Sequence, residues 1–268
     1  MSESQENIHE LLRQLSNSQK ADLFLFSHDI SEGTADEIIQ IVKAQEEKKE
    51  NAILFLTTNG GDPDAAFRIA RYFKRTYEKF YVYVFGYCKS AGTLIVLGAN
   101  SIVMSDFGEL GPLDLQIYKD DDIQRGSVLD IQQALDVIGA KGIEFFGYYI
   151  EEIVATGYEV ITTRAAIDIA STIAVGLLSP ISSPINPLKL GEMNRLAKVA
   201  AEYGERLSLE EPDLVEAIAS LIHDYPSHSF VIDFEEATII FGERVKYAND
   251  LELLLENFLL LDVRESVG

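Results

Sequence analysis

One strand–helix–strand unit, residues 52–85, constrains the fold of this chain more than any other stretch. Its ends, residues 52–57 (AILFLT) and 81–85 (YVYVF), are short apolar runs rich in β-branched and aromatic residues, which predicts buried strands. Residues 63–79 between them carry apolar side chains at helical spacing. A right-handed crossover through this helix makes the two strands parallel.

Each of these strands runs into a turn built from small residues. The first is followed by NGGDP, residues 59–63, and the second by GYCKSAGT, residues 86–93. Ligands of open α/β sheets bind outside the carboxyl ends of the strands. The sequence therefore predicts that both turns face one site.

The residues of the two turns suit nucleophilic catalysis. A serine at a strand-to-helix turn, as Ser90 is, exposes its hydroxyl beside the amide of the next residue, Ala91. Gly60 and Gly61 have no Cβ, so their backbone can approach a ligand closely. We predict that amides of Gly60, Gly61 and Ala91 form an oxyanion hole. Taken singly, each turn has a structural explanation, such as Ser90 acting only as a helix N-cap.

Two segments resemble a known family. TTNGGDPDAAFRIARYF (residues 57–73) and FGYCKSAGTLIVLGAN (residues 85–100) resemble the paired motifs of Clp-fold serine proteinases. In particular they resemble the serine dehydrogenase proteinase family, which is related to signal peptide peptidase A and the Clp protease subunit. The resemblance extends over residues 21–114 and resumes more weakly over residues 226–247.

The resemblance implies an α/β fold of the Clp/crotonase-like type, built from repeated β-β-α units. The alternation of strands and helices over residues 21–85 independently favours a parallel sheet covered by helices. We expect one domain over residues 1–268, with a largely helical insertion or second layer at 114–225. Residues 1–20 and 248–268 are predicted to form a helical arm and a leucine-rich arm.

The implied activity is that of a serine peptidase, which hydrolyses peptide bonds through an acyl-enzyme on Ser90. A serine hydroxyl needs a base to become a good nucleophile. In the Clp protease subunit the region comparable to residues 107–114 carries the catalytic histidine. Here no histidine lies between His28 and His223, so the resemblance does not supply a complete triad.

Four residues are candidates for the missing base, of which His228 ranks first and Lys141 second; His223 is expected at the surface of a helical segment. His228 precedes the late strand, in the region where the Clp protease subunit has its triad acid, and an imidazole titrates near neutral pH. Lys141 lies where signal peptide peptidases of this fold place a base lysine, which requires burial to lower its pKa. Lys89 is set aside because neighbours in extended backbone point apart.

The remaining candidates are weaker. Asp114 and Asp233 are possible orienting carboxylates. Cys88 is a rival nucleophile, although a lone cysteine at a strand end is usually a core residue.

Two other functions stay open. Crotonase-like acyl-CoA chemistry uses the same fold and the same paired amides, but it needs carboxylates at the site and leaves Ser90 dispensable. A non-catalytic peptide-binding or assembly subunit would keep the groove without a base.

The amino-acid composition limits the classes of binding partner and the cellular location that we expect. The 44 acidic and 22 basic residues give a net charge of −22, which argues against nucleic acid and anionic membranes. The single cysteine favours a reducing, cytoplasmic location. The N-terminal residues lack a signal-peptide pattern, and we expect no membrane span.

The motifs of metal and cofactor sites are missing from the sequence, so we predict neither. We expect a peptide or protein substrate. We also expect a homo-oligomer, with Leu254, Leu255 or Phe258 at an interface.

Overall fold

The structure is a computed structural model, which describes residues 3–113, 116–117, 126–156, 161–182, 187–208 and 214–265. Its strands, in chain order, are β1 (Ala21–Ser27), β2 (Asn51–Thr57), β3 (Lys79–Val84), β4 (Tyr87–Cys88), β5 (Ser101–Met104), β6 (Glu109–Leu110), β7 (Gln116–Ile117), β8 (Gly126–Ser127) and β9 (Val245–Tyr247). Within the described residues, five of them form a parallel sheet in the order β1-β2-β3-β5-β9. Strand β4 pairs with β6, and β7 pairs with β8.

The described helices are α1 (Glu3–Ser18), α2 (Glu32–Ala44), α3 (Pro63–Thr76), α4 (Ala91–Leu97), α5 (Val128–Thr156), α6 (Thr163–Ser182), α7 (Pro187–Leu207), α8 (Leu214–His223), α9 (Phe234–Phe241) and α10 (Asp250–Glu265). Helix α2 begins at Glu32. The reason is local, since Ser31 and Thr34 form a reciprocal capping box at its N-terminus.

The central sheet is buried on both faces. Side chains of β2 alternate between two clusters, with Leu54 and Leu56 in the core beneath α2, α3 and α4, and Ile53 and Phe55 in the core beneath α1 and α10. A strand buried on both sides reads as a continuous apolar run, which is how residues 52–57 read in the sequence. The predicted α/β fold, a parallel sheet covered by helices, is confirmed.

The two terminal helices pack on this domain and contact each other. Leu11 and Leu15 of α1 share a buried cluster with Leu255 of α10. The prediction that Leu255 lies at an interface between chains is therefore wrong, because its side chain is fully buried in its own chain. Leu254 is exposed, and the side chain of Phe258 lies outside what the structure describes.

Helices α5 and α6 pack mainly against each other. Several of their large apolar side chains are exposed, among them Ile143 (78%) and Val175 (66%). Helix α6 has 20 residues, a mean hydropathy of 1.6, and 17% of its most apolar window buried, so by length and composition it is able to cross a membrane. From the sequence we predicted no membrane span, whereas α6 meets the length and composition of one.

Candidate active site

The Gly60-Gly61 turn begins where β2 ends. Both glycines have positive φ angles, 103° and 138°, which other residues rarely adopt. A Cβ on Gly61 would lie 2.1 Å from the carbonyl oxygen of Ile30, so only glycine fits there. Asp62 then caps α3 by accepting hydrogen bonds from the amides of Asp64 and Ala65. The turn is thus fixed on both sides.

Ser90 occupies a strained position between β4 and α4. Its φ of 52° and ψ of −116° are unusual for a residue with a side chain, and such strain is typical of functional sites. Ser90 stands at the N-cap of α4, yet its side chain makes no capping hydrogen bond. The structural explanation that Ser90 is only a cap therefore fails. The residue is 4% exposed.

The two turns lie against each other, as predicted. The amide of Thr58 donates to the Tyr87 carbonyl over 2.9 Å, and the amide of Lys89 donates back to the Thr58 carbonyl over 2.9 Å. A Cβ on Gly60 would lie 2.8 Å from the Ser90 Cβ and 3.3 Å from the Ala91 nitrogen. Glycine at position 60 is what permits this approach.

The three predicted oxyanion-hole residues differ in whether their backbone amides already donate a hydrogen bond. The Gly60 amide donates to the Thr58 hydroxyl over 3.0 Å, so it is already engaged. Within the described part of the chain, the amides of Gly61 and Ala91 donate to no acceptor. Ala91 is the first residue of α4, where helix geometry leaves the N–H without an intrahelical acceptor. Of the three predicted residues, Gly61 and Ala91 are therefore the two whose amides are not already engaged among the described residues.

The loop after β5 forms one wall of the site. Strand β6 pairs with β4, and the Gly111 amide donates to the Cys88 carbonyl over 3.1 Å. Thr93 of α4 donates to the Gly111 carbonyl over 2.7 Å. Cys88 is fully buried, and burial raises the pKa of its thiol, so it is a core residue rather than a nucleophile.

His228 lies on a segment that the fold brings to this wall. Ile232 exchanges two backbone hydrogen bonds with Leu110 of β6, and the Lys89 ammonium contacts the Phe230 carbonyl at 3.4 Å. His228 is half-buried in the turn closed by the bond from the Phe230 amide to the Ser227 carbonyl. The segment is thus tied to the residue preceding Ser90.

Lys141 has a different environment. It lies on α5 with 49% of its side chain exposed, and its ammonium forms an ion pair with Glu144 at 2.6 Å. The Lys141 side chain is therefore not buried in the way that a lysine base requires. Of the two predicted bases, His228 is the better placed, and both roles stay predictions.

The predicted orienting carboxylates gain little support. Asp233 caps α9 by accepting from the Glu236 amide over 2.9 Å. Asp114 lies outside the described residues. Among the residues described, no group of three or more His, Cys, Asp or Glu side chains is arranged to hold a metal ion.

Sequence reasoning missed one residue. From the sequence, Lys89 was considered only as a base. In the structure, its side chain instead extends toward the carbonyls of Leu110 and Phe230. The one signal in the sequence was a lysine inside an otherwise small and apolar turn, FGYCKSAG.

Residues 4–104, which contain both turns, match the family model described as Clp protease. No curated protein sequence matches the chain.

Solved structures resemble the chain at low similarity. One is a mutant of the 1510-N membrane-bound stomatin-specific protease in complex with a substrate peptide, with 21% identity over 47% of this chain and 60% of that chain (TM-score 0.35). Another is the 1510-N membrane protease specific for a stomatin homolog from Pyrococcus horikoshii, with 27% identity over 34% of this chain and 48% of that chain (TM-score 0.29). A third is a ClpP1 mutant from Listeria monocytogenes, with 12% identity over 90% of this chain and 98% of that chain (TM-score 0.38). The chain thus spans 60% and 48% of the first two proteins.

Proposed function

We propose that this chain is a serine peptidase that cleaves peptide bonds through an acyl-enzyme on Ser90. The observation that carries the proposal is the strained Ser90 backbone beside the Gly60-Gly61 turn. The Clp protease match over residues 4–104 supports a peptidase. It covers both turns but neither candidate base.

The proposed reaction has two stages, acylation of Ser90 and hydrolysis of the acyl-enzyme. The base removes the Ser90 hydroxyl proton as the oxygen attacks the peptide carbonyl carbon, and the carbonyl oxygen becomes an oxyanion bound by the Gly61 and Ala91 amides. The C–N bond then breaks, and the base returns the proton to the leaving amine. Water, activated by the same base, hydrolyses the resulting ester and restores the Ser90 hydroxyl. We assign the base to His228, with Lys141 as the alternative.

A fluorophosphonate probe tests the proposal directly, because it reacts with activated serines. We expect labelling of the wild-type protein at Ser90, located by peptide mass spectrometry, and none in Ser90→Ala. A folded wild-type protein without labelling would contradict the proposal. It would leave the non-catalytic binding subunit, which the lack of a histidine in residues 107–114 favours.

The crotonase-like alternative fits the site less well. Its chemistry needs a carboxylate directed at the substrate. Glu109, the carboxylate of β6, is instead paired with Lys89 at 3.3 Å.

We further propose that the chain acts in the cytoplasm as a homo-oligomer on peptide or protein substrates. The single, buried cysteine is consistent with a reducing compartment. With Leu255 inside its own core, the interface is better assigned to the exposed apolar residues of α5 and α6. A second copy is a better occupant of this surface than a lipid bilayer, because charged residues such as Lys141 and Glu144 are interspersed along α5.

A further inference from the structure

The side chain of Lys89 is largely enclosed although it carries a charge. It is 13% exposed, and its stem runs along Gly111 so closely that a Cβ at Gly111 would lie 2.7 Å from the Lys89 Cδ. A charged group this enclosed destabilises the fold unless it is paired and hydrogen-bonded. Its contacts therefore indicate what it does.

The ammonium contacts oxygens from two separate segments. It donates to the Leu110 carbonyl over 3.1 Å and to the Phe230 carbonyl over 3.4 Å, and it lies 3.3 Å from a Glu109 carboxylate oxygen. An ammonium has three donor hydrogens and no acceptor, which matches these three oxygens. Lys89 is thus a hydrogen-bond donor to both segments.

The Phe230 carbonyl belongs to the turn that carries His228. The described backbone hydrogen bonds that join this turn to β6 are the two between Leu110 and Ile232. These lie beyond Phe230, on the side away from His228. The contact from Lys89 thus reaches the end of the turn nearer His228, where the Phe230 ring also packs against Tyr225 with ring centroids 5.2 Å apart.

We propose that Lys89 is a positioning residue, which holds the His228 turn at a fixed distance from the adjacent Ser90. This inference rests on the proposed peptidase function with His228 as base. One side chain then couples the turn that carries the nucleophile to the turn that carries the base. Misplacement of such groups by about 1 Å lowers rates by up to about 100-fold.

The test compares Lys89→Met, which keeps the apolar stem but removes the ammonium, with Lys20→Met. Lys20 is a matched control, because it forms an exposed ion pair with Glu50 at 3.1 Å, far along the chain from both turns. We expect Lys89→Met to slow fluorophosphonate labelling by about 10-fold to 100-fold. Lys20→Met should leave the rate unchanged. Lys89→Gln, a shorter neutral variant, serves if Lys89→Met does not fold.

Two further readouts separate positioning from a general structural role. In a His228→Ala background, Lys89→Met should cause no additional loss of labelling, because the lysine acts through the histidine. The Phe230 and Ile232 amides should exchange with deuterium faster in Lys89→Met than in wild type, since the turn is released. An equal loss of rate with and without His228 would overturn the proposal.

The outcomes also distinguish this inference from the function on which it rests. A wild-type protein that is not labelled would overturn the peptidase function and the positioning role together. Normal labelling of Lys89→Met, or unchanged exchange at Phe230 and Ile232, would overturn the positioning role alone.

Discussion

Gly60 lies so close to Ser90 that a Cβ on the glycine would sit 2.8 Å from the Ser90 Cβ. The same Cβ would lie 2.8 Å from the Lys89 carbonyl oxygen, which accepts the Gly92 amide at the start of α4. A side chain at position 60 would thus displace both Ser90 and the first turn of α4.

Gly60→Ala should therefore lower labelling of Ser90 by at least about 10-fold, because the serine and the Ala91 amide must move. Gly242→Ala is the matched control, since Gly242 also has a positive φ, 59°, but open space around its Cβ position. The control should lose about 1 kcal/mol of stability and keep its labelling rate. Equal rates in the two variants would show that the contact with Ser90 has no functional consequence.

Ser90→Gly and Ser90→Ala should both abolish labelling, but they should differ in stability. Alanine keeps the strain of a φ of 52°, whereas glycine relieves it. We expect the free energy of unfolding of Ser90→Gly to be about 1 kcal/mol larger than that of Ser90→Ala, as measured by denaturant titration. A more stable alanine variant would mean that the backbone at Ser90 is not strained.

The base is identified by the pH dependence of labelling. If His228 is the base, the labelling rate should rise from acid toward neutral pH, because a general base must be unprotonated to act. His228→Ala should then lower the rate by about 10²–10⁴-fold and remove that rise. Lys141→Ala should stay within about twofold of wild type, because Lys141 is half-exposed and paired with Glu144. The reverse result would assign the base to Lys141.

Oligomer formation should depend on α5 and α6. Val175→Glu places a charge among exposed apolar side chains of α6 and should shift the protein toward the monomer in light scattering at micromolar concentration. Leu254→Glu, an equally drastic change at an exposed residue of α10, should leave the assembly intact. Dissociation by Leu254→Glu alone would return the interface to α10, as the sequence first suggested.

Glu256 should make stability depend on pH. Burial of its carboxyl raises its pKa above the ordinary value, and the nearby Asp106 adds to the rise, although a hydrogen bond from Ser105 opposes it. The folded protein thus holds this proton more tightly than the unfolded chain. Its contribution is favourable below the ordinary pKa and declines as pH rises through the raised one.

Glu256→Gln removes this ionisation while keeping an acceptor for the Ser105 hydroxyl. The variant should melt higher than wild type at neutral pH, by roughly 1–3 °C, and the gain should shrink toward pH 4. Thermal melts at several pH values measure this. A gain that grows in acid would mean that the Glu256 pKa is not raised.

Local sequence signals were enough to predict the framework. Strand β2 is an uninterrupted apolar run because both of its faces are buried, and Gly60-Gly61 and Asp62-Pro63 specify a turn and a helix start by their own backbone preferences. The meeting of the two turns followed from parallel strands that end at one edge of the sheet. These features depend on a few neighbouring residues, so a single sequence contains them.

The sequence by itself therefore determined the parallel α/β framework and placed Ser90 and the glycine turn at one site. Only the tertiary structure decided that the Gly60 amide is already engaged, because it donates to the Thr58 hydroxyl, whereas the amides of Gly61 and Ala91 have no acceptor among the described residues. It also decided that Leu255 is a core residue and that Lys89 reaches Phe230. Such outcomes depend on contacts between residues far apart in the chain, where packing and not local preference selects among the alternatives.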